Sequence, residues 1–196
     1  METRRGLLKK TIGGAVLLAA AGAVPIALRG TRLRPVRGPL RFFTAAEYAI
    51  FAAVADRILA TDPAAAPPVD VRIGPRPPPP SPEEVDVAGK ADAFLAGVDA
   101  KSASDFKQLL ALLDNAVFNL LGGGPPRPFT RMSAAEQDRC LASWAGSRLA
   151  VKRTGFQALK RLTAAVYFAT PATWPSIGYP GPPYELVRSV NAAREK

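Results

Sequence analysis

The chain has 196 residues, of which 48% are apolar, enough for one compact domain with a buried core plus a targeting segment. It has no histidine and one cysteine, which excludes a histidine base or haem ligand, an internal disulfide, CxxC zinc sites and CxxCH haem attachment. The net charge of +10 comes mostly from residues 1–41, with nine Lys/Arg against one acid, while the other 155 residues hold seventeen bases and fifteen acids. The near-neutral remainder argues against nucleic-acid binding, which needs a dense basic cluster.

The first predicted element is an export signal in residues 1–28. A charged start precedes an uncharged stretch over residues 11–28. The start resembles the twin-arginine signal pattern of a polar residue, two arginines, a spacer, two apolar residues and a lysine. The matching residues are Thr3, Arg4, Arg5, Leu7, Leu8 and Lys9. We therefore expect the twin-arginine translocase to carry this chain, already folded, into the bacterial periplasm.

The sequence leaves open whether the signal is cleaved. Small residues at 21–23 offer a cleavage site. Alternatively, the eighteen residues 11–28 would reach roughly 27 Å as a helix, just short of the hydrocarbon thickness, and could stay as an anchor in the inner membrane. The basic run 29–41 that follows is interpreted as a linker.

Residues 42–196 are predicted to form an all-α domain, an irregular bundle of about five helices. Thr44 and Glu47 form a capping-box pattern that opens the first helix, which should end near Ala60. A proline-rich stretch over 62–82 follows. We interpret it as an extended surface loop rather than as a ligand of an SH3-type domain.

Helical periodicity and caps place four more helices after this loop. The second begins at Ser81, the third at Ser102 or Ser104, the fourth after Ser133 and the fifth near Lys152. Their expected buried faces include Val87, Ala91, Phe94, Leu95 and Val98; Phe106, Leu109, Leu110, Leu113, Ala116, Val117, Leu120 and Leu121; Cys140, Leu141, Trp144 and Leu149; and Phe156, Leu159, Leu162, Val166 and Tyr167. No stretch alternates at period two, so no sheet is expected.

The segment after the fifth helix, rich in proline, glycine and aromatic residues, is predicted to be non-helical. Its residues are candidates for a partner interface: Trp174, Ile177, Gly178, Tyr179, Pro180, Gly181 and Pro183. The two large aromatics would either anchor a partner or fold back as core plugs. Gly178 and Gly181 are expected to adopt positive φ in tight turns.

A family resemblance becomes specific at this segment. A helix ending in Tyr167-Phe168, then a proline, Trp174 and the run 177–182 resembles the gluconate 2-dehydrogenase subunit 3 family. The first helix and the twin-arginine start are also similar to that family. The resemblance covers the signal, the first helix and the last third of the chain.

The resemblance implies a division of labour between subunits. The partner would be a large subunit of the glucose-methanol-choline oxidoreductase type that carries FAD and the catalytic histidine, and a multihaem cytochrome c with haem c would accept the electrons. The small subunit would supply the export signal and escort the flavoprotein. This chain is then expected to bind no cofactor or metal and to have no catalytic residue, while the substrate of the complex stays open.

Two alternatives to this assignment remain. The chain could be a free-standing exported helical binding or scaffold protein with another partner. An independent hydrolase would need an activated nucleophile, and no spacing here suggests one. The lone Cys140 is either a buried free thiol or a candidate intermolecular disulfide.

Overall fold

The computed structural model describes residues 30–60 and 76–182. Over these residues the chain is all-α, as predicted, with no strand and with eight α-helices rather than about five. The helices are α1 (Ala45–Ile58), α2 (Pro82–Val85), α3 (Val87–Leu95), α4 (Ala100–Leu113), α5 (Ala116–Leu121), α6 (Ala134–Ala145), α7 (Ala150–Phe168) and α8 (Trp174–Ile177). Two 3-10 turns span Phe129–Arg131 and Pro171–Thr173. The signal motif Thr3 to Lys9 and Pro183 lie outside the described residues.

Three helices begin at the caps that the sequence indicates. Thr44, Ser81 and Ser133 each accept a hydrogen bond from the backbone N–H three residues later. In each case the glutamate at that position accepts a bond from the cap's own backbone N–H, so two otherwise unpaired donors are satisfied. The starts of α1, α2 and α6 are therefore fixed by local sequence.

The larger helix number arises because two predicted helices are broken and because the short α8 forms after α7. The second is interrupted at Asp86, which adopts a left-handed conformation (φ 54°, ψ 53°) and caps α3 by accepting from Gly89 N–H. The third begins at Ala100 rather than at Ser102 or Ser104, with Asp99 as its cap, and is interrupted at Asn115. Short Asx side chains bond the nearby backbone and compete with the helical ladder at such points.

Four apolar residues that were predicted to be buried are exposed. Leu120 and Leu121 are exposed on α5. A new helix begins after Asn115, so α5 does not continue the buried apolar face of α4. Phe94 is exposed at the end of α3, and Leu149 is exposed as the residue before α7. The burial prediction was wrong at these four positions.

The core is built around α1. Its residues Tyr48 to Ala55 are all buried, as expected for a helix with neighbours on every side, and α3, α4, α6 and α7 contact it. Phe43 stacks on Phe51 with ring centroids 5.7 Å apart. Trp144 is buried against α7, where Gly155 lets the indole approach closely.

The described part of the basic run, from Gly30 to Arg41, lies against the helices. Arg34 pairs with Asp56 on α1, and Arg32 N–H donates to Thr130 Oγ1 at 3.0 Å. The carboxylate of Asp92 on α3 accepts three consecutive backbone N–H groups at residues 41–43. This segment is therefore packed onto the domain along much of its length.

Candidate partner interface at the C-terminal end of α7

The segment after α7 contains two short helical turns. This corrects the prediction that it is non-helical. Pro171 begins the 3-10 turn and Pro175 is the second residue of α8. Proline is tolerated there because the first residues of a helix have no intrahelical acceptor for an N–H. The prolines therefore start helical turns in this segment instead of preventing them.

Trp174 fixes this segment to the end of α7. Its indole Nε1 donates to the carbonyl of Phe168 at 2.8 Å. Its half-buried ring meets the Tyr179 ring edge-on, with centroids 5.2 Å apart. Trp174 thus has a structural role, whereas Tyr179 keeps 41% of its surface exposed.

Both glycines of the segment adopt positive φ, as predicted. Gly178 (φ 71°) ends α8, and the next N–H, that of Tyr179, returns to Trp174 O at 3.0 Å. A Cβ at Gly178 would also lie only 3.2 Å from the Arg76 guanidinium carbon. Gly181 has φ 105° and is buried. The path of the segment therefore depends on glycine at both positions.

An apolar groove of about 460 Å³ lies between α3 and the C-terminal half of α7. Its lining residues are Lys90, Phe94, Leu162, Ala165, Val166, Ala169, Thr170 and Pro171. Phe94, at its edge, is 64% exposed. The sequence analysis missed this groove, although Ala165 and Ala169 are a small-residue pair one turn apart that signals a hollow on α7.

Exposed apolar side chains therefore gather around this end of α7. Phe168 and Ile177 are exposed by 44% and 43%, beside Tyr179 and the groove residue Phe94. We call these four residues the aromatic face. Most of the predicted interface residues lie beside or within it: Ile177 and Tyr179 belong to it, Trp174 supports it, and Gly178, Pro180 and Gly181 form its turn.

The comparisons with known proteins bear directly on this segment. A family model described as gluconate 2-dehydrogenase subunit 3 matches residues 45–181. This chain belongs to that family. The match runs from the first residue of α1 to Gly181. It therefore includes the opening helix and the turn at Gly178 to Gly181 beside the aromatic face. Comparisons with curated proteins and with solved structures find no match.

In this subunit 3 chain the proline run supports the same end of α7. Residues 76–80 have no regular secondary structure, and Tyr167 Oη donates to the carbonyl of Pro80 at 2.6 Å. Burial raises the pKa of the Tyr167 hydroxyl, and the nearby Glu84 carboxylate raises it further, so Tyr167 stays a neutral donor. The last proline of the run is thus hydrogen-bonded to the end of α7.

Cys140 is half-buried on α6, away from the turn. Its Sγ lies 3.9 Å from Asn119 Oδ1, and burial raises the pKa of the thiol to about 11. A thiol with this pKa is protonated at neutral pH and reacts slowly. The candidate intermolecular disulfide stays a prediction.

Two features are absent from residues 30–60 and 76–182. No helix there is long and apolar enough to cross a lipid bilayer. Within the same ranges no three or more Cys, Asp or Glu side chains are grouped so that they could hold a metal ion.

Proposed function

We propose that this family member is the non-catalytic small subunit of a periplasmic, flavin-dependent dehydrogenase complex. It supplies a twin-arginine export signal and escorts and stabilises a large subunit of the glucose-methanol-choline type. FAD and the catalytic groups belong to that large subunit, and a multihaem cytochrome c accepts the electrons. The absence of histidine and the single half-buried cysteine support a role without catalysis.

The observation that carries the proposal is the aromatic face. Large exposed apolar side chains beside an apolar groove are typical of protein interaction sites. Here the supporting turn is stiffened by prolines and by the Trp174 indole bond, and its two glycines permit the positive φ that the turn requires. A preorganised surface loses little conformational entropy on docking, which favours tight association.

A double variant tests the aromatic face as the docking site. Ile177→Ser with Tyr179→Ser removes exposed apolar area while keeping Trp174 and its indole bond. If these residues are interface anchors worth about 2 kcal/mol, affinity for the large subunit falls by about 30-fold. Co-purification of the large subunit from the native host measures this.

Leu121→Ser is the matched control, because Leu121 is 76% exposed and belongs to α5 rather than to the C-terminal segment. We expect it to retain the large subunit, and circular dichroism should show the same helicity in all three proteins. Equal retention by the double variant and the control would reject this face as the docking site.

The export role has its own test. Replacing Arg4 and Arg5 by lysine should leave the flavoprotein's dehydrogenase activity in the cytoplasm, because the twin-arginine signal is read by a receptor. Activity is assayed with an artificial electron acceptor in separated periplasmic and cytoplasmic fractions. Undiminished periplasmic activity in the variant would contradict the escort role.

A further inference from the structure

A second exposed apolar group lies at the opposite end of α7. Leu120 and Leu121 at the end of α5 are 49% and 76% exposed, and Leu149 and Val151 at the start of α7 are 56% and 57% exposed. We call these four residues the leucine tip. Since α7 has 19 residues, roughly 28 Å of helix separates the leucine tip from the aromatic face.

Lys152 holds the two parts of the leucine tip together. Its side chain is only 8% exposed, and its Nζ lies 4.7 Å from the centre of the Phe118 ring on α5. The same Nζ would be 2.8 Å from a Cβ at Gly122, directly after Leu121. The start of α7 and the end of α5 therefore meet at this ammonium group, and the four aliphatic residues share one end of the domain.

The stretch of chain that contains the leucine tip is rich in basic residues. Residues 115–153 contain six Lys/Arg and two acids. Of the acids, Asp138 forms a bidentate pair with Arg57, while Glu136 accepts from the Ser133 cap and also lies 3.8 Å from the Arg127 guanidinium. Arg148 and Arg153 are exposed next to Leu149 and Val151. The tip therefore presents aliphatic groups beside positive charge.

The start of the described chain is held close to α5. Arg131 Nε donates to the carbonyl of Gly30 at 2.6 Å, and Thr31 Oγ1 donates to Asp114 Oδ2 at 2.7 Å. Asp114 lies two residues before α5, a helix of six residues that is about 9 Å long. The apolar stretch 11–28 ends two positions before Gly30 in the sequence. The described chain therefore begins close to the start of α5, the helix that ends at Leu121.

From these observations we propose that the leucine tip docks on the surface of an anionic phospholipid bilayer. The four aliphatic side chains would enter the boundary between headgroups and acyl chains, and Arg148 and Arg153 would contact the headgroup phosphates. Leucine and valine are under-represented among protein–protein hot spots, which favours lipid over an acidic protein as the occupant. Docking here leaves the aromatic face, at the far end of α7, free for a partner.

The test places an environment-sensitive dye at the tip. The full chain carries Cys140→Ser, so that no other thiol is labelled, and Leu121→Cys bears a nitrobenzoxadiazole dye. With vesicles containing phosphatidylglycerol we expect a blue shift and a several-fold rise in emission. Both should be smaller with phosphatidylcholine vesicles and should decrease as added salt screens the arginines.

The matched control carries the same dye at Phe94→Cys, which is 64% exposed on the aromatic face. We expect little change there with either lipid, even if the apolar stretch 11–28 itself tethers the chain to the vesicles. Adding Arg148→Glu and Arg153→Glu to the Leu121→Cys protein should reduce the blue shift. Circular dichroism of each protein confirms that the fold is retained.

Three outcomes would overturn the proposal. No spectral change at position 121 with anionic vesicles would show that the tip does not meet lipid. An equal change at position 94 would indicate unspecific adsorption. A change without vesicles that grows with protein concentration would identify a second copy of the chain as the occupant. Retention of the large subunit is measured separately, so a failure here does not decide the proposed function.

Discussion

Replacing Asp92 by asparagine tests the long-range contact that fastens the N-terminal segment to α3. The carboxylate is 2% exposed and accepts Phe42 and Phe43 N–H at Oδ1, 2.9 and 2.6 Å away, and Arg41 N–H at Oδ2, 2.8 Å away. An asparagine retains one acceptor oxygen for the first two donors. Its amide group would face the third N–H, and the negative charge would be lost.

The cost follows from these three bonds. Hydrogen bonds to a charged group contribute about 1.5–3 kcal/mol each, and a buried donor left without a partner costs about 1–3 kcal/mol. Losing one bond and weakening two by removing the charge should lower the free energy of unfolding by about 2–4 kcal/mol. Asp105→Asn is the control, since its solvent-exposed pair with Lys101 on α4 should contribute little to the free energy of unfolding.

Urea unfolding followed by circular dichroism measures both variants, and the pH dependence adds a second readout. Burial raises the pKa of Asp92, but the three backbone N–H groups outweigh it, so the net pKa lies below its ordinary value. A lowered pKa stabilises the fold fully above the unfolded value of about 3.9, and this contribution is lost as the pH falls through the folded value. The Asp92→Asn protein should therefore lose less stability than wild type below about pH 4. A loss below about 1 kcal/mol at neutral pH, or an unchanged acid profile, would refute the role assigned to this carboxylate.

Two further predictions concern the packing of α6 and α7. Gly155→Ala should lower the free energy of unfolding by about 1–3 kcal/mol in the same urea assay, because its Cβ would overlap Leu109 Cδ1 and would lie 3.1 Å from Trp144 Cζ3. An unchanged midpoint would show that the helices can move apart. Cys140 should react with iodoacetamide about 100-fold more slowly than an ordinary thiol at pH 8, since burial raises its pKa from 9.0 to about 11, and the rate should recover in denaturant. Rapid alkylation of the folded chain would place this thiol in a more open site.

The features predicted correctly from the sequence are those fixed over a few residues. The capping boxes at Thr44 and Ser133 involve partners three positions apart, so the residues alone indicate them. Positive φ at Gly178 and Gly181 was predicted because a glycine in a short proline-rich turn is also a local signal. The fold class follows from periodicity, which repeats along several helices.

The features that were missed depend on distant contacts or on competition within a helix. Asp92 looks like a solvated side chain of α3 until the segment before α1, some fifty residues away, lies beside it. Asn115 interrupts the regular apolar pattern of the predicted third helix, because its Oδ1 accepts hydrogen bonds from two backbone N–H groups. The spacing of apolar residues gives no sign of this competition with the helical hydrogen bonds. The groove at Phe94 exists only once α3 and α7 are packed together.

The central claim is that this chain serves a flavoprotein rather than acting alone. The most direct test is to tag its C-terminus in the native host, purify it gently from the periplasmic and membrane fractions, record the visible spectrum and identify its partners by mass spectrometry. Our account predicts a stoichiometric large chain of the glucose-methanol-choline type with flavin absorbance, and c-type haem bands if a cytochrome is retained. A colourless chain that purifies without a partner would contradict it and would leave a free-standing exported helical protein.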